Sequence, residues 1–246
     1  MGSGTAGDII KKVKAALERD TRVNLHRSQV TVAVENDGVV TLTGETESIA
    51  EKRAAVACAS QALAGCATQS VVDRLHVKPV ARRENLELKR EVESALSGEP
   101  VFRDYTLITV VGGRSETVHD AGTDKRMITA TIQDGVVTLS GRVGSISHKR
   151  LAEVAMWWTD GCRFVDNLLD VVPPEEDTDD DITDVVRMVL EKDPLVHADQ
   201  ISIATTDGVV ILLGSVASKE EKKLAIMDAW HVPGVTDIED RIETRD

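Results

Sequence analysis

Asp134-Gly-Val-Val-Thr-Leu-Ser-Gly141 occurs, with small changes, three times in this 246-residue chain. The other copies are Asp37-Gly-Val-Val-Thr-Leu-Thr-Gly44 and Asp207-Gly-Val-Val-Ile-Leu-Leu-Gly214. A serine follows each copy at a fixed offset (Ser48, Ser145, Ser218), and then a further glycine (Gly65, Gly161, Gly234). Agreement at so many offsets marks an internal repeat. Before each Asp-Gly pair apolar residues alternate, as in Val30, Val32 and Val34, in Ile128, Ala130 and Ile132, and in Ile201 and Ile203. They alternate again after it, in Val40 and Leu42, Val137 and Leu139, and Val210 and Leu212. Period two means a strand with one buried face, and Asp-Gly between two such runs is a hairpin turn. Asp37, Gly38, Asp134, Gly135, Asp207 and Gly208 are therefore structural turn residues.

The serines open helices. Ser48 with Glu51 and Ser218 with Glu221 have capping-box spacing, whereas His148 replaces the acid after Ser145. These helices end near Gly65, Gly161 and Gly234, and a last strand follows in each copy: 71–77, 165–171 and 235–242. Each copy also begins with an amphipathic helix, whose stripes are Ile9/Ile10, Val13 and Ala16/Leu17, then Leu88, Val92 and Leu96, then Ile182, Val185/Val186 and Val189/Leu190. The expected fold is α+β: three tandem αββαβ modules, each a three-stranded mixed sheet with two helices on one face. The expected boundaries are 1–79, 85–173 and 181–246. An acidic, proline-containing linker spans 173–181, and a flexible loop is inserted at about 111–126.

Hydrophobic residues make up 41% of the chain and aromatics 2%, so the cores rest on aliphatic side chains. The net charge of −13 is unevenly placed. Residues 1–80 carry 10 Lys or Arg against 9 Asp or Glu, residues 81–173 carry 12 against 14, and residues 174–246 carry 7 against 19. No third is basic, which argues against nucleic acid as a partner. No signal peptide or membrane span is visible, so the expected location is the cytoplasm, or the periplasm should a leader have been removed. Three cysteines without regular spacing do not make a disulfide framework.

The repeats resemble the BON domain, a small αββαβ unit named for bacterial osmotically inducible and nodulation-related proteins. Copy two carries the resemblance best, through Asp134 to Ser145, Gly161-Cys162 and Val165-Asp-Asn-Leu-Leu-Asp-Val171. Copy three carries it through Pro233-Gly-Val235, and copy one departs at Glu45-Thr-Glu47 and Gly65-Cys66. The resemblance implies a non-enzymatic protein tied to osmotic or envelope stress. Attachment to phospholipid membranes follows from it, or potassium binding in the manner of some cytoplasmic relatives. It brings no catalytic residues.

Candidate contact residues come from the second helices. A basic pair recurs four and five residues after each serine: Lys52 and Arg53, Lys149 and Arg150, Lys222 and Lys223. Read as a site, it would meet an anion or a lipid headgroup; read plainly, it is a solvated helix face. Trp157 aligns with Trp230 and suits an interface, whereas the spacing Leu151, Val154/Ala155, Trp158 puts Trp158 on the core face. Cys66 and Cys162 stand where copy three has Val235, so they read as small buried hydrophobes, as does Cys58. The histidines do not cluster. Asp177, Asp179 and Asp181 fail the calcium-loop pattern, having Ile182 and Met188 where glycine and glutamate belong. No catalytic, metal or cofactor residues are expected. The expectation is a stress-associated binding protein meeting phospholipid or envelope partners, with cytoplasmic cation sensing as the alternative.

Overall fold

The computed structural model describes residues 6–35, 39–64, 70–78, 83–122 and 126–245. The chain divides into two compact units, 1–78 and 79–246.

The first unit runs α1 (Ala6–Arg19), β1 (Gln29–Val34), β2 (Val40–Thr46), α2 (Ile49–Leu63) and β3 (Val71–Val77). Its sheet has the order β1-β2-β3, with β1/β2 antiparallel and β2/β3 parallel. The alternation read from the sequence puts Val32, Val40, Leu42 and Leu75 under the helices, against Val13, Leu17, Ala54, Ala55, Ala59 and Leu63. Alanines along α2 let it lie close to the sheet, which is how a core almost without aromatic rings fills its space. The Asp37-Gly38 turn lies outside the described residues.

The second unit holds two sheets. The later one repeats the plan of the first: α5 (Asp179–Lys192), β9 (Ile201–Thr206), β10 (Val209–Val216), α6 (Lys219–His231) and β11 (Asp237–Thr244), in the order β11-β10-β9. The earlier one contains α3 (Asn85–Gly98), β4 (Thr106–Val111), β5 (Arg114–His119), β6 (Met127–Gln133), β7 (Val136–Val143), α4 (Ile146–Trp157) and β8 (Phe164–Val171). Its sheet has five strands, β5-β4-β6-β7-β8, so the segment expected to be an inserted loop instead builds strands. β4 runs parallel to β6, and β5 folds back on β4 through Gly112 and Gly113. Aliphatic Leu107 and polar Thr109 are buried in β4, while β5 is exposed almost throughout and closes the edge with polar side chains. Lys89 of α3 clips it down, reaching Glu116 at 2.7 Å and Glu93 at 2.8 Å.

Two local rules recur among the described residues. Asp134 and Asp207 have φ of +52°, followed by Gly135 and Gly208 at +80° and +74°, the paired positive angles of a tight hairpin turn. The glycine closing each repeated segment is needed for a different reason. A Cβ on Gly44, Gly141 or Gly214 would lie 1.6, 2.2 or 2.0 Å from the carbonyl oxygen of Gln29, Met127 or Gln200. The neighbouring strand backbone passes where any side chain would stand.

Candidate functional site

The second helices begin alike. The Ser48, Ser145 and Ser218 hydroxyls accept hydrogen bonds from the amides of Glu51, His148 and Glu221. Glu51 and Glu221 are buried and bind the chain ahead of the helix. Glu51 accepts from the amides of Glu47 at 2.9 Å and Asn24 at 2.7 Å and from the Ser28 hydroxyl at 2.7 Å. Glu221 accepts from the amides of Ala217 and His197, both at 2.9 Å. Burial alone would raise the Glu221 pKa, but these amides hold it below the usual range.

Where α4 has His148 instead, Tyr105 takes over the work. Its hydroxyl accepts from the Gly144 amide at 2.9 Å and is hydrogen-bonded to His148 Nδ1 at 2.7 Å. Burial and nearby Arg126 hold His148 below its ordinary pKa, which favours the neutral ring. Phe102 packs edge-on against Tyr105, which makes this the aromatic corner of an otherwise aliphatic protein.

The basic pairs do not share one environment. Lys52 is 4% exposed, donating to the Leu75 carbonyl at 2.6 Å and pairing with Asp73 at 2.6 Å. Lys222 does the same with the Ile242 carbonyl at 2.6 Å and Asp240 at 2.8 Å. These lysines tie the second helix to the last strand. In the middle repeat Asn167 stands in the aspartate's place and bonds instead to the Lys149 carbonyl at 2.9 Å, leaving the Lys149 side chain half-buried.

One residue further on, Arg53 is half-buried and Lys223 exposed, but Arg150 is 4% exposed. Arg150 Nε donates to the Pro233 carbonyl at 2.9 Å and its Nη2 pairs with Asp177 at 2.6 Å. Pro233 belongs to the exit turn after α6, so Arg150 joins the middle repeat to the last one. Gly234 sits against this latch at φ +95°, and a Cβ there would meet Ile182 Cδ1 at 2.9 Å and Arg150 Nη2 at 3.0 Å. Lys192 of α5 with Glu99, and Trp158 with His231 at 6.4 Å between ring centroids, also span the two repeats.

The tryptophans differ from expectation in one case. Trp158 is 39% exposed rather than in the core, because α4 ends at Trp157 and Trp158 is its cap, past the last buried turn. Trp157 is half-buried with its indole N–H on Glu153 at 3.3 Å, and Trp230 is buried. A cavity of about 300 Å³ lies beside Trp158, walled by Glu91, Glu99, Ala155 and Asp160 among others. Its acids are already engaged: Glu99 with Lys192, and Asp160 and Glu91 with Arg83 at 2.8 and 3.7 Å.

The acidic run before α5 has three separate structural jobs. Asp177 holds Arg150, Asp179 accepts from the Asp207 and Gly208 turn amides at 2.8 and 3.0 Å, and Asp181 closes a capping box with Thr178. Cys58 and Cys162 are free and buried, and burial pushes the Cys162 thiol up to about 12. Cys66 lies outside the described residues. Among the described residues no three His, Cys, Asp or Glu side chains come together as a metal site, and no helix is long and apolar enough to cross a membrane.

The family model for the BON domain matches residues 5–79, 114–173 and 178–246, most of the chain. The protein belongs to the BON domain family. The middle match begins at β5, so α3 and β4 lie ahead of it. Osmotically-inducible protein Y of Escherichia coli (strain K12) is 28% identical over 173 residues, covering 67% of this chain and 85% of that protein. Two structures of CdsD, a structural protein of the type III secretion system of Chlamydia trachomatis, align with 97% and 96% of the chain. They do so at 12% and 14% identity with TM-scores of 0.25 and 0.24, too low to bear on the function of these BON repeats.

Proposed function

We propose that this BON protein is a stress-associated, non-catalytic binding protein that meets the headgroups of anionic phospholipids. The stress association follows its similarity to an osmotically inducible relative. Binding rather than catalysis fits a chain whose reactive groups are spent on structure, as with buried Cys162 and the bonded pair Tyr105–His148.

The observation that carries the lipid reading is where free cationic surface remains. Lys52, Arg150 and Lys222 are committed to internal bonds. Lys223 is exposed, but residues 174–246, with 7 Lys or Arg against 19 Asp or Glu, carry most of the chain's net negative charge. The first unit is different. One face of α1 is buried through Val13 and Leu17, and its solvent side exposes Lys11, Lys14 and Arg19 together with Asp8 and Glu18, leaving that side net basic. An amphipathic helix with a basic outer face is suited to an anionic membrane surface, where each Lys or Arg contributes about 1 kcal/mol. Arg53, half-buried in the same unit, has a secondary role; in the other unit half-buried Lys149 and Trp157 are separate, weaker candidates.

Co-sedimentation of the full chain with vesicles tests it. Binding is expected to vesicles rich in phosphatidylglycerol at low salt and not to vesicles of phosphatidylcholine alone. Lys11→Ala with Lys14→Ala should weaken binding roughly 30-fold, at about 1 kcal/mol for each charge. Lys223→Ala should weaken it much less. A folded chain that stays in the supernatant with anionic vesicles at low salt removes the lipid reading.

A further inference from the structure

The end of the first helix carries an acid in every repeat: Asp20, Glu99 and Asp193 each follow the last buried leucine by three residues. Their carbonyls accept equivalent turn bonds, from the amides of Val23, Phe102 and Val196. Two of the acids have a cation. Asp20 is bound by Arg22, with Oδ2 to Nη2 at 2.7 Å, and Glu99 by Lys192. Two residues past Asp193 stands Leu195 where the first repeat has Arg22.

The residue opposite differs as well. Ten residues after the capping serine lie Cys58, Ala155 and Asp228. In the last repeat alone a second carboxyl faces the acid. Asp228 is 7% exposed, and its Oδ2 is buried without a hydrogen-bond partner.

The other charges on the helices around it are either exposed to solvent, as Glu191, Lys219, Glu220 and Lys223 are, or engaged elsewhere. On α5, Lys192 turns to Glu99. On α6, Glu221 binds the amides of His197 and Ala217, Lys222 binds Asp240 and the Ile242 carbonyl of β11, and His231 bonds to the Met227 carbonyl. Asp193 is the charge that acts on Asp228.

We propose that Asp228 keeps its proton in the folded chain, so that the last repeat is a proton-sensitive element that loosens at the α5–α6 joint when this carboxyl loses it. A buried carboxyl with one oxygen left without a hydrogen-bond partner, and with Asp193 as a like charge acting on it, is disfavoured in its ionised form. Burial first, and then Asp193, push Asp228 from its usual 3.8 up to about 8. A carboxyl with a raised folded-state pKa binds more protons in the native state. Its contribution is therefore intact below pH 3.8, is lost progressively as pH rises, and is gone above about pH 8. Lys192, next to Asp193, is anchored on Glu99 of the middle repeat, so the α5 end that moves is also an end of the joint between repeats.

All three tryptophans (Trp157, Trp158, Trp230) lie in the 79–246 unit, so their fluorescence during urea unfolding of the full chain reports on that unit alone. The comparison is wild type against Asp228→Asn from pH 5 to 9. The difference between their unfolding equilibria should grow with pH, by at most about tenfold per unit, in favour of the variant, and level off near pH 8. Asp228→Ala, which restores the residue type of Ala155, should behave the same way. Parallel curves for wild type and both variants would overturn the proposal. If neither variant folds, carboxyl carbon NMR of the wild-type chain decides: a midpoint near 8 for Asp228 supports it and one below 5 overturns it.

Discussion

Helices α4 and α6 are the same helix in two repeats, each capped by a serine, yet the fifth residue after that serine has opposite fates. In α4 it is Arg150, buried between the Pro233 carbonyl and Asp177; in α6 it is Lys223, in solvent. The difference comes from the neighbour. The last repeat lays its exit turn and α5 against α4, whereas Lys223 on the equivalent face of α6 is exposed. An outward position of an isolated module thus becomes an interior one when another module docks, which is how repeat proteins gain much of their core.

The largest effect expected from this difference is at Arg150. Arg150→Ala should destabilise the 79–246 unit by about 2 kcal/mol, less than a fully buried pair would cost because Asp177 is itself mostly exposed. Lys223→Ala should change it by less than about 0.5 kcal/mol. Urea unfolding followed by tryptophan fluorescence compares the two, and equal losses would erase the contrast. Gly234→Ala should come next. Both Gly234 and Gly161 have φ of +95°, but a methyl at Gly161 meets the movable Arg83 side chain, whereas one at Gly234 meets Ile182 and the latch itself. The Gly234 variant should be the worse of the two by about 1 kcal/mol.

These contrasts also mark what can be read from the chain. Hairpin turns, serine caps and the inward faces of Val40, Leu42 and their counterparts are local features, set by spacing of two to four residues, and all were legible. The roles of Lys52 and Lys222 were not, because each reaches a strand about twenty residues onward. Arg150 reaches 83 residues along the chain. The strand pair β4 and β5 was missed since its Gly112-Gly113 turn and polar edge look like a loop until the parallel pairing with β6 is known. Trp158 was misplaced by a single residue of helix length.

A smaller contrast separates Lys222 from Lys149. Lys222→Met should cost about 1 kcal/mol through its lost carbonyl bond and Asp240 pair, while Lys149→Met stays within about 0.5 kcal/mol. Chemical denaturation of each variant checks it, and reversed magnitudes would contradict the assignment. The smallest effect expected is at His148. Its folded-state pKa is lowered below 6.5, so the stability it contributes is present above that value and is lost as pH falls through 6.5 toward 5. His148→Gln should flatten that part of the pH–stability curve, by less than about 1 kcal/mol at pH 5.

A double-mutant cycle joining Arg150→Ala and Asp177→Ala, read by urea unfolding of the full chain, tests the latch between repeats most directly. The structure predicts a coupling of about 1 kcal/mol, with none between Lys223→Ala and Asp177→Ala. Strictly additive losses at Arg150 and Asp177 would contradict it, and would return Arg150 to the solvated surface from which the sequence pattern alone cannot distinguish it.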